Sequence, residues 1–176
     1  TLHKTQLPLN SFLLAWENPN IWDDLIEQDD KIAETMKQLL RKKGYRNIKI
    51  LEIPKLSISN KKNESKRSIS GSITITFMHQ LLGGVPLLDQ ISLNNIPISE
   101  IRSLIGGTIF KSYLVTLFDE DDEFYYIQGN GYGHGVGMSQ WGAQKAAEQG
   151  KSYAEILQFY FPGTEIQNMY NIKAGT

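Results

Sequence analysis

Residues 129–143 read Gly-Asn-Gly-Tyr-Gly-His-Gly-Val-Gly-Met-Ser-Gln-Trp-Gly-Ala, with Gly129, Gly131, Gly133, Gly135 and Gly137 at every second position. Glycine has the most backbone freedom to lose on folding and supports neither strand nor helix. Five in alternation therefore predict a loop that needs positive φ or very close backbone approach. Between the glycines stand Asn130, Tyr132, His134 and Val136, and Ser139, Gln140 and Trp141 follow. Hydrogen-bonding groups and flat aromatic faces on a bare backbone suit a sugar, a polar ring with apolar CH faces. The competing reading is a glycine-rich turn between strand and helix, with His134 simply hydrogen-bonded in place.

Two nucleotide readings fail on spacing. A dinucleotide fingerprint needs glycine at its first, third and sixth positions, and counting from Gly131 or Gly133 the sixth is Val136 or Met138. A phosphate loop needs Gly-Lys-Ser/Thr, which the stretch lacks. With 18 basic and 19 acidic residues the formal charge is −1, so net charge draws the chain to neither nucleic acid nor an anionic surface. There is no cysteine, hence no disulfide framework and no thiolate metal site within these residues. No run approaches the ~18 apolar residues of a membrane-spanning helix. The sequence begins at Thr1 rather than Met, which leads us to expect that a preceding segment was removed or left out.

With 40% hydrophobic residues in 176, the chain can form one domain with a core, or part of a larger one. Leu7, Phe12, Leu13, Leu14, Trp16 and Trp22 stand near Pro8 and Pro19, which break any long helix. The two tryptophans fit a packing role or, less commonly, a sugar platform. Apolar spacing predicts a helix over 23–43, closed by Arg41-Lys42-Lys43 before Gly44; helix-dipole complementarity accounts for that basic run. Ile48, Ile50 and Ile53 predict a strand ended by Pro54, and the alternation of Ile69 to Phe77 a half-buried strand after a polar loop at 60–67. A short strand at 90–93 and a short helix at 97–104 follow. Two further strands flank Asp119-Glu120-Asp121-Asp122-Glu123, a run without the ligand spacing or central glycine of a calcium loop and so a solvated hairpin tip. Ser139 is placed to cap a helix to Gln149 that Gly150 stops. Ser152-Tyr153-Ala154-Glu155 is a capping box for a second helix ending at Pro162-Gly163, and the last ten residues read as a frayed end.

Tyr132-Gly133-His134-Gly135-Val136-Gly137-Met138-Ser139-Gln140-Trp141-Gly142-Ala143, followed by Ala147, Gly150, Ser152-Tyr153, Ile156-Leu157 and Tyr160-Phe161-Pro162-Gly163-Thr164, strongly resembles the closing segment of the stage II sporulation protein D and amidase-enhancer family. The strong resemblance covers about residues 124–166. Arg102, Leu104-Ile105-Gly106 and Phe110-Lys111-Ser112 are weaker family-like features upstream. The resemblance implies lytic transglycosylase action on peptidoglycan glycan strands, an extracytoplasmic setting at the cell envelope and, through the amidase-enhancer name, a cell-wall amidase as partner. It implies no nucleic acid.

Lytic cleavage needs a carboxylic acid to protonate the leaving glycosidic oxygen and a base to free the sugar's own C6 hydroxyl for attack. One glutamate in a partly apolar pocket can serve both steps. In the resembled family that residue lies in a motif upstream of the glycine loop, and no such motif occurs here. Glu17, Glu100, Glu123, Glu148 and Glu155 all lack its context. Some family members also hold a Cys/His metal site that a chain without cysteine does not reproduce; no cofactor is expected within this chain, and a metal in a preceding segment stays open. His134 is left with three roles: hydrogen-bonding the substrate, orienting an acid supplied from upstream, or bracing the loop. Asn130 and Gln140 suit N-acetyl or hydroxyl groups, Tyr132 and Trp141 suit a pyranose face, and Ser139 stands with Gln140 at a helix N-terminus able to hold a hydroxyl or carboxylate.

The expected fold is α+β, one SpoIID-like domain or its C-terminal portion: an antiparallel-rich sheet from residues 47–128, packed helices near 24–43 and 139–161, and a glycine-rich loop leading into the C-terminal helix pair. The expected function is the glycine-loop wall of a glycan groove in a lytic transglycosylase. The alternatives are a non-catalytic peptidoglycan-binding module that enhances a partner amidase, and a structural protein whose glycine loop only packs.

Overall fold

The computed structural model describes residues 1–8 and 19–167. Trp16, Glu17 and the apolar cluster at 12–14 lie outside the described residues, as does nearly all of the end read as frayed. The fold is α+β, with two three-stranded antiparallel sheets and four α-helices among the described residues. The chain divides into two compact units, Thr1–Gly133 and the part from His134 onward.

In the first unit, β2 (Ile48–Ile58), β3 (Ser70–Gln80) and β4 (Pro86–Pro97) form one sheet in sequence order. A second sheet has the order β1-β6-β5, from β1 (Leu2–His3), β5 (Val115–Glu120) and β6 (Phe124–Gly129). The single sheet expected from 47–128 is thus two sheets, and residues near the N-terminus supply a strand to one of them. The segment after β1 joins the two: the Ile53 N–H donates to the Lys4 carbonyl at 2.7 Å, and the Gln6 N–H to the Leu51 carbonyl at 2.7 Å.

Pro54 does not end β2. It lies where the register with β3 shifts between Glu52 and Lys55, and such an irregularity interrupts the ladder and accommodates a residue without an N–H. β3 is central, and its expected half-burial is exceeded. Ile73, Ile75 and Phe77 enter the core on one face, while Thr74 and Thr76 are also buried on the other. Their hydroxyls are satisfied across the sheet: Thr76 donates to Glu52 at 3.2 Å and accepts from the Gln90 amide at 3.0 Å, and Thr74 pairs with Ser92 at 3.0 Å.

Helix α1 (Asp30–Lys42) buries Ile32, Ala33, Met36 and Leu40, the spacing of a single face, and ends at Gly44 with φ 98°. It starts later than the periodicity predicts. Residues 19–24 form a 3-10 turn instead, Ile26 is left exposed, and Gln6 holds Asp29 through its side-chain amide on both sides, at 3.2 and 3.1 Å. This detour seats Glu27 in the interior, where its carboxylate accepts the Ile50 N–H at 3.1 Å and pairs with Lys37 at 2.5 Å. Lys49 donates to the Leu25 carbonyl at 2.6 Å, and burial holds its ammonium below its usual range. Trp22 packs with Leu7, Leu51 and Met78 in a small second core, which settles it as a packing residue.

Helix α2 (Ile98–Ile105) closes the main core with Ile98, Ile101, Leu104 and Ile105. In the second unit, α3 (Gln140–Glu148) and α4 (Tyr153–Tyr160) form the helix pair.

Candidate functional site

The glycine loop begins as β6 runs out. Gly129 sits against the neighbouring chain so closely that a Cβ there would lie 2.5 Å from the Leu114 carbonyl oxygen. The Asn130 N–H then donates to that same carbonyl at 3.0 Å, and the Gly133 N–H donates to the Lys111 carbonyl at 2.7 Å. Residues 111–114 are therefore a backbone shelf on which 129–133 is laid, with Ser112 and Gly133 bridged in parallel fashion. Gly131 and Gly133 reach this position with φ of 74° and 95°, where an L side chain is strained. Tyr132 between them is 74% exposed.

The shelf has its own support. Arg102 in the last turn of α2 donates from Nε to the Phe110 carbonyl at 2.9 Å, and Gly107 leaves room for its guanidinium, which a Cβ would meet at 2.7 Å. Phe110 is fully buried, and the Ser112 hydroxyl accepts the Leu114 N–H at 3.1 Å. Sequence reasoning did not join these residues to the loop. The signal was present in Arg102 and Phe110-Lys111-Ser112, which resemble the family, but only the fold brings them under the glycines.

In the second unit the loop continues with Gly135 at φ 71°. Gly137 has neither positive φ nor a close neighbour, so one of the five alternating glycines is explained by neither expectation. The exposed His134 ring accepts the Val136 N–H at Nδ1, at 3.0 Å. Its neutral form then carries the proton on Nε2 and offers it outward as a donor. Ser139 caps α3, its hydroxyl oxygen accepting the Gly142 N–H at 3.1 Å, and Gln140 and Trp141 occupy the first turn, exposed, Trp141 to 81%.

Behind the first turn, Gly142 is packed beneath Tyr160 of α4, whose hydroxyl occupies the space a Cβ would need. The second helix starts with the expected capping box: Ser152 accepts the Glu155 N–H at 3.3 Å and its own N–H donates to the Glu155 carboxylate at 2.8 Å. The Ser152 bonds hold that carboxyl below its usual range.

Of the residues singled out from the sequence, Asn130 and Tyr132 stand at the end of the first unit, and His134, Ser139, Gln140 and Trp141 in the second, all exposed. The acidic run 119–123 is a hairpin tip. Asp121 accepts the N–H groups of Glu123 and Phe124 and the Tyr126 hydroxyl, the last at 2.6 Å, and chiefly this hydroxyl lowers its carboxyl below the usual range. Among the described residues no three His, Asp or Glu side chains gather as a metal-ligand set.

No family model matches the chain, and no solved structure does. Among curated proteins, the amidase enhancer of Bacillus subtilis (strain 168) is 37% identical over 169 residues, covering 94% of this chain and 24% of the enhancer. An uncharacterised protein of Brachyspira hyodysenteriae is 39% identical over 77 residues, 44% of this chain and 21% of that protein. Stage II sporulation protein D of Bacillus amyloliquefaciens is 55% identical over 40 residues, 23% of this chain and 12% of that protein. The chain thus spans about a quarter of the length of the enhancer it matches. With residues 129–133 laid on the 111–114 shelf and nearly its whole length alignable, the chain belongs to the amidase-enhancer and stage II sporulation protein D family.

Proposed function

We propose that this chain forms the glycine-loop wall of a groove for peptidoglycan glycan strands in a cell-wall protein of the lytic transglycosylase type, with the catalytic carboxylic acid supplied from outside these residues. The observation that carries the reading is the exposure of Tyr132 and Trp141 on one glycine-rich stretch, each a large ring held outside any core. Such rings stack on pyranose faces, and the amide groups of Asn130 and Gln140 match N-acetyl and hydroxyl groups. The buried Glu27 is engaged by Lys37 and the Ile50 N–H, and the exposed Glu52 by the Thr76 hydroxyl, so neither is poised as a proton donor to a sugar. His134 offers a donor from Nε2 and takes a supporting role, binding substrate or orienting the acid.

A lytic reaction breaks the glycosidic bond, passes the acid's proton to the leaving oxygen, and closes the sugar's own C6 oxygen onto the anomeric carbon as its hydroxyl proton returns to the carboxylate. No water is consumed and the product is a 1,6-anhydro sugar. Residues 1–176 alone should release none, whereas a version extended through an upstream Glu motif should. Mass spectrometry of glycan digests by both versions decides it, and anhydro products from the short chain would place the acid within it.

The name of the amidase enhancer supports a second reading, in which the same groove holds glycan without cutting and raises the activity of a cell-wall amidase. Amidase rates on intact wall, with and without this chain, distinguish the two: enhancement in the absence of anhydro products from either version favours the binding role.

A further inference from the structure

The hairpin joining β3 to β4 is built unlike a solvated turn. From Leu81 to Leu88 it reads Leu-Leu-Gly-Gly-Val-Pro-Leu-Leu, without one polar side chain. Gly83 and Gly84 supply the positive φ of the turn, but the Asn, Asp and Ser that water-facing turns also favour, with side chains that hydrogen-bond the backbone or the solvent, are absent. Here Leu82 is fully exposed, and Leu81, Val85, Leu87 and Leu88 are between 41% and 59% exposed. Part of the backbone is satisfied internally: the Leu81 N–H donates to the Val85 carbonyl at 2.9 Å and the Gly84 N–H to the Leu81 carbonyl at 3.0 Å. An apolar tip with paired backbone groups tolerates a medium poor in water.

Beside this tip lies the basic segment that follows α1. The Gln80 N–H donates to the Asn47 carbonyl at 3.2 Å, and a cavity of about 450 Å³ has Lys43 and Arg46 on one wall and Leu81 and Leu82 on the other. Segments 41–47 and 79–88 together hold Arg41, Lys42, Lys43 and Arg46, and the one carboxylate at their edge, Asp89, accepts the Tyr45 hydroxyl at 3.0 Å and lies 3.9 Å from His79. Arg41 is taken up by Glu34 at 2.6 Å, which leaves Lys42, Lys43 and Arg46 exposed and facing solvent. In a chain of net charge −1, this corner is locally cationic as well as apolar.

The geometry points to an anionic lipid surface as the occupant of this corner, with the tip leucines entering the boundary between headgroups and acyl chains while Lys42, Lys43 and Arg46 meet headgroup phosphates. A protein partner would have to supply a socket shaped for a projecting leucine and an acidic rim around it. A bilayer supplies apolar depth and negative charge together and needs no shaped socket. The site lies within the first unit and does not depend on the glycine loop.

Because the chain has no cysteine, Leu82→Cys gives a unique thiol for an environment-sensitive fluorophore. Titration of the full chain with phosphatidylcholine vesicles containing phosphatidylglycerol should shift the emission to the blue, and salt should reverse the shift. Pure phosphatidylcholine should give a much smaller response. Paired Lys43→Glu and Arg46→Glu substitutions should weaken partitioning about thirtyfold or more. Unlabelled Leu82→Asp, at a fully exposed position, should abolish flotation with the vesicles while the melting temperature stays unchanged. No shift with phosphatidylglycerol, or a shift indifferent to salt and to the charge reversals, would overturn the assignment. So would lipid-independent self-association lost in Leu82→Asp, which would make the tip an interface between copies.

Discussion

The Tyr125 hydroxyl donates to the Ile53 carbonyl at 2.9 Å, tying β6 of one sheet to β2 of the other across 72 residues of sequence. The ring is fully buried, and Lys4, which also pairs with Glu120, lies 4.7 Å from its centroid. Burial is the main cause that pushes the phenol up to about 12, with the Glu120 charge adding to it.

An alkaline limb of stability follows. An unfolded tyrosine titrates near 10, so between pH 10 and about 12 the folded chain keeps a proton that the unfolded chain has released. The stabilising contribution is complete below pH 10 and declines as pH rises through that window. Tyr125→Phe should lose about 1–2 kcal/mol at neutral pH because the Ile53 carbonyl is left unpaired in the core. It should also fall less steeply between pH 10 and 12. Denaturant midpoints across that range measure both effects, and parallel curves for the two proteins would show that the phenol is not the titrating group.

Trp141→Ala and Tyr132→Ala should each weaken binding to purified glycan strands by about 1 kcal/mol or more. Their melting temperatures should hold, since both rings are exposed. Pull-down and thermal melting read the two properties separately. Unchanged glycan binding in both variants would remove the sugar groove from this stretch.

Gly142→Ala tests the crossing of α3 and α4. Alanine is the better helix former, yet its methyl group would need the space of the Tyr160 hydroxyl, so the single variant should lose helix content in the second unit. Adding Tyr160→Phe removes the oxygen and should restore it. Circular dichroism of the single and double variants decides this, and a double variant no better than the single would mean that the ring rather than its oxygen sets the limit.

The parts of the fold that were legible in the sequence are those written in short range. The Ser139 cap, the Ser152–Glu155 capping box and the stop at Gly150 each rest on residues within a few positions of one another, and all stand as expected. Four of the five alternating glycines likewise meet one of the two anticipated needs, positive φ at 131, 133 and 135 and close approach at 129. What could not be read is decided by partners far along the chain. Pro54 stays in its strand because the register with β3 shifts there, a property of pairing rather than of local sequence. The delayed start of α1 depends on Gln6 and on the buried Glu27–Lys37 pair, neither visible to a periodicity that counted Ile26 as apolar. The shelf under the glycine loop shows the same limit, since Arg102 reaches it only through the Phe110 carbonyl.

Gly135 and His134 are adjacent, and their substitutions should separate backbone shape from side-chain chemistry. Gly135 has φ 71°, in a region where a β-branched residue is strained by about 1–2 kcal/mol or more. Gly135→Val should therefore reshape the 134–138 backbone and abolish glycan binding. His134→Ala removes the acceptor of the Val136 N–H, but that group is exposed and water can replace the imidazole, so the loop should keep its shape. Gly135→Asn should fall between them, because asparagine enters the left-handed region more readily than valine. Amide chemical shifts of residues 133–138 report shape, and glycan binding reports function, in the same three variants. A silent Gly135→Val would mean that the loop is not a backbone-defined site. A His134→Ala variant that keeps its amide shifts but binds glycan far more weakly would instead assign the imidazole directly to the substrate.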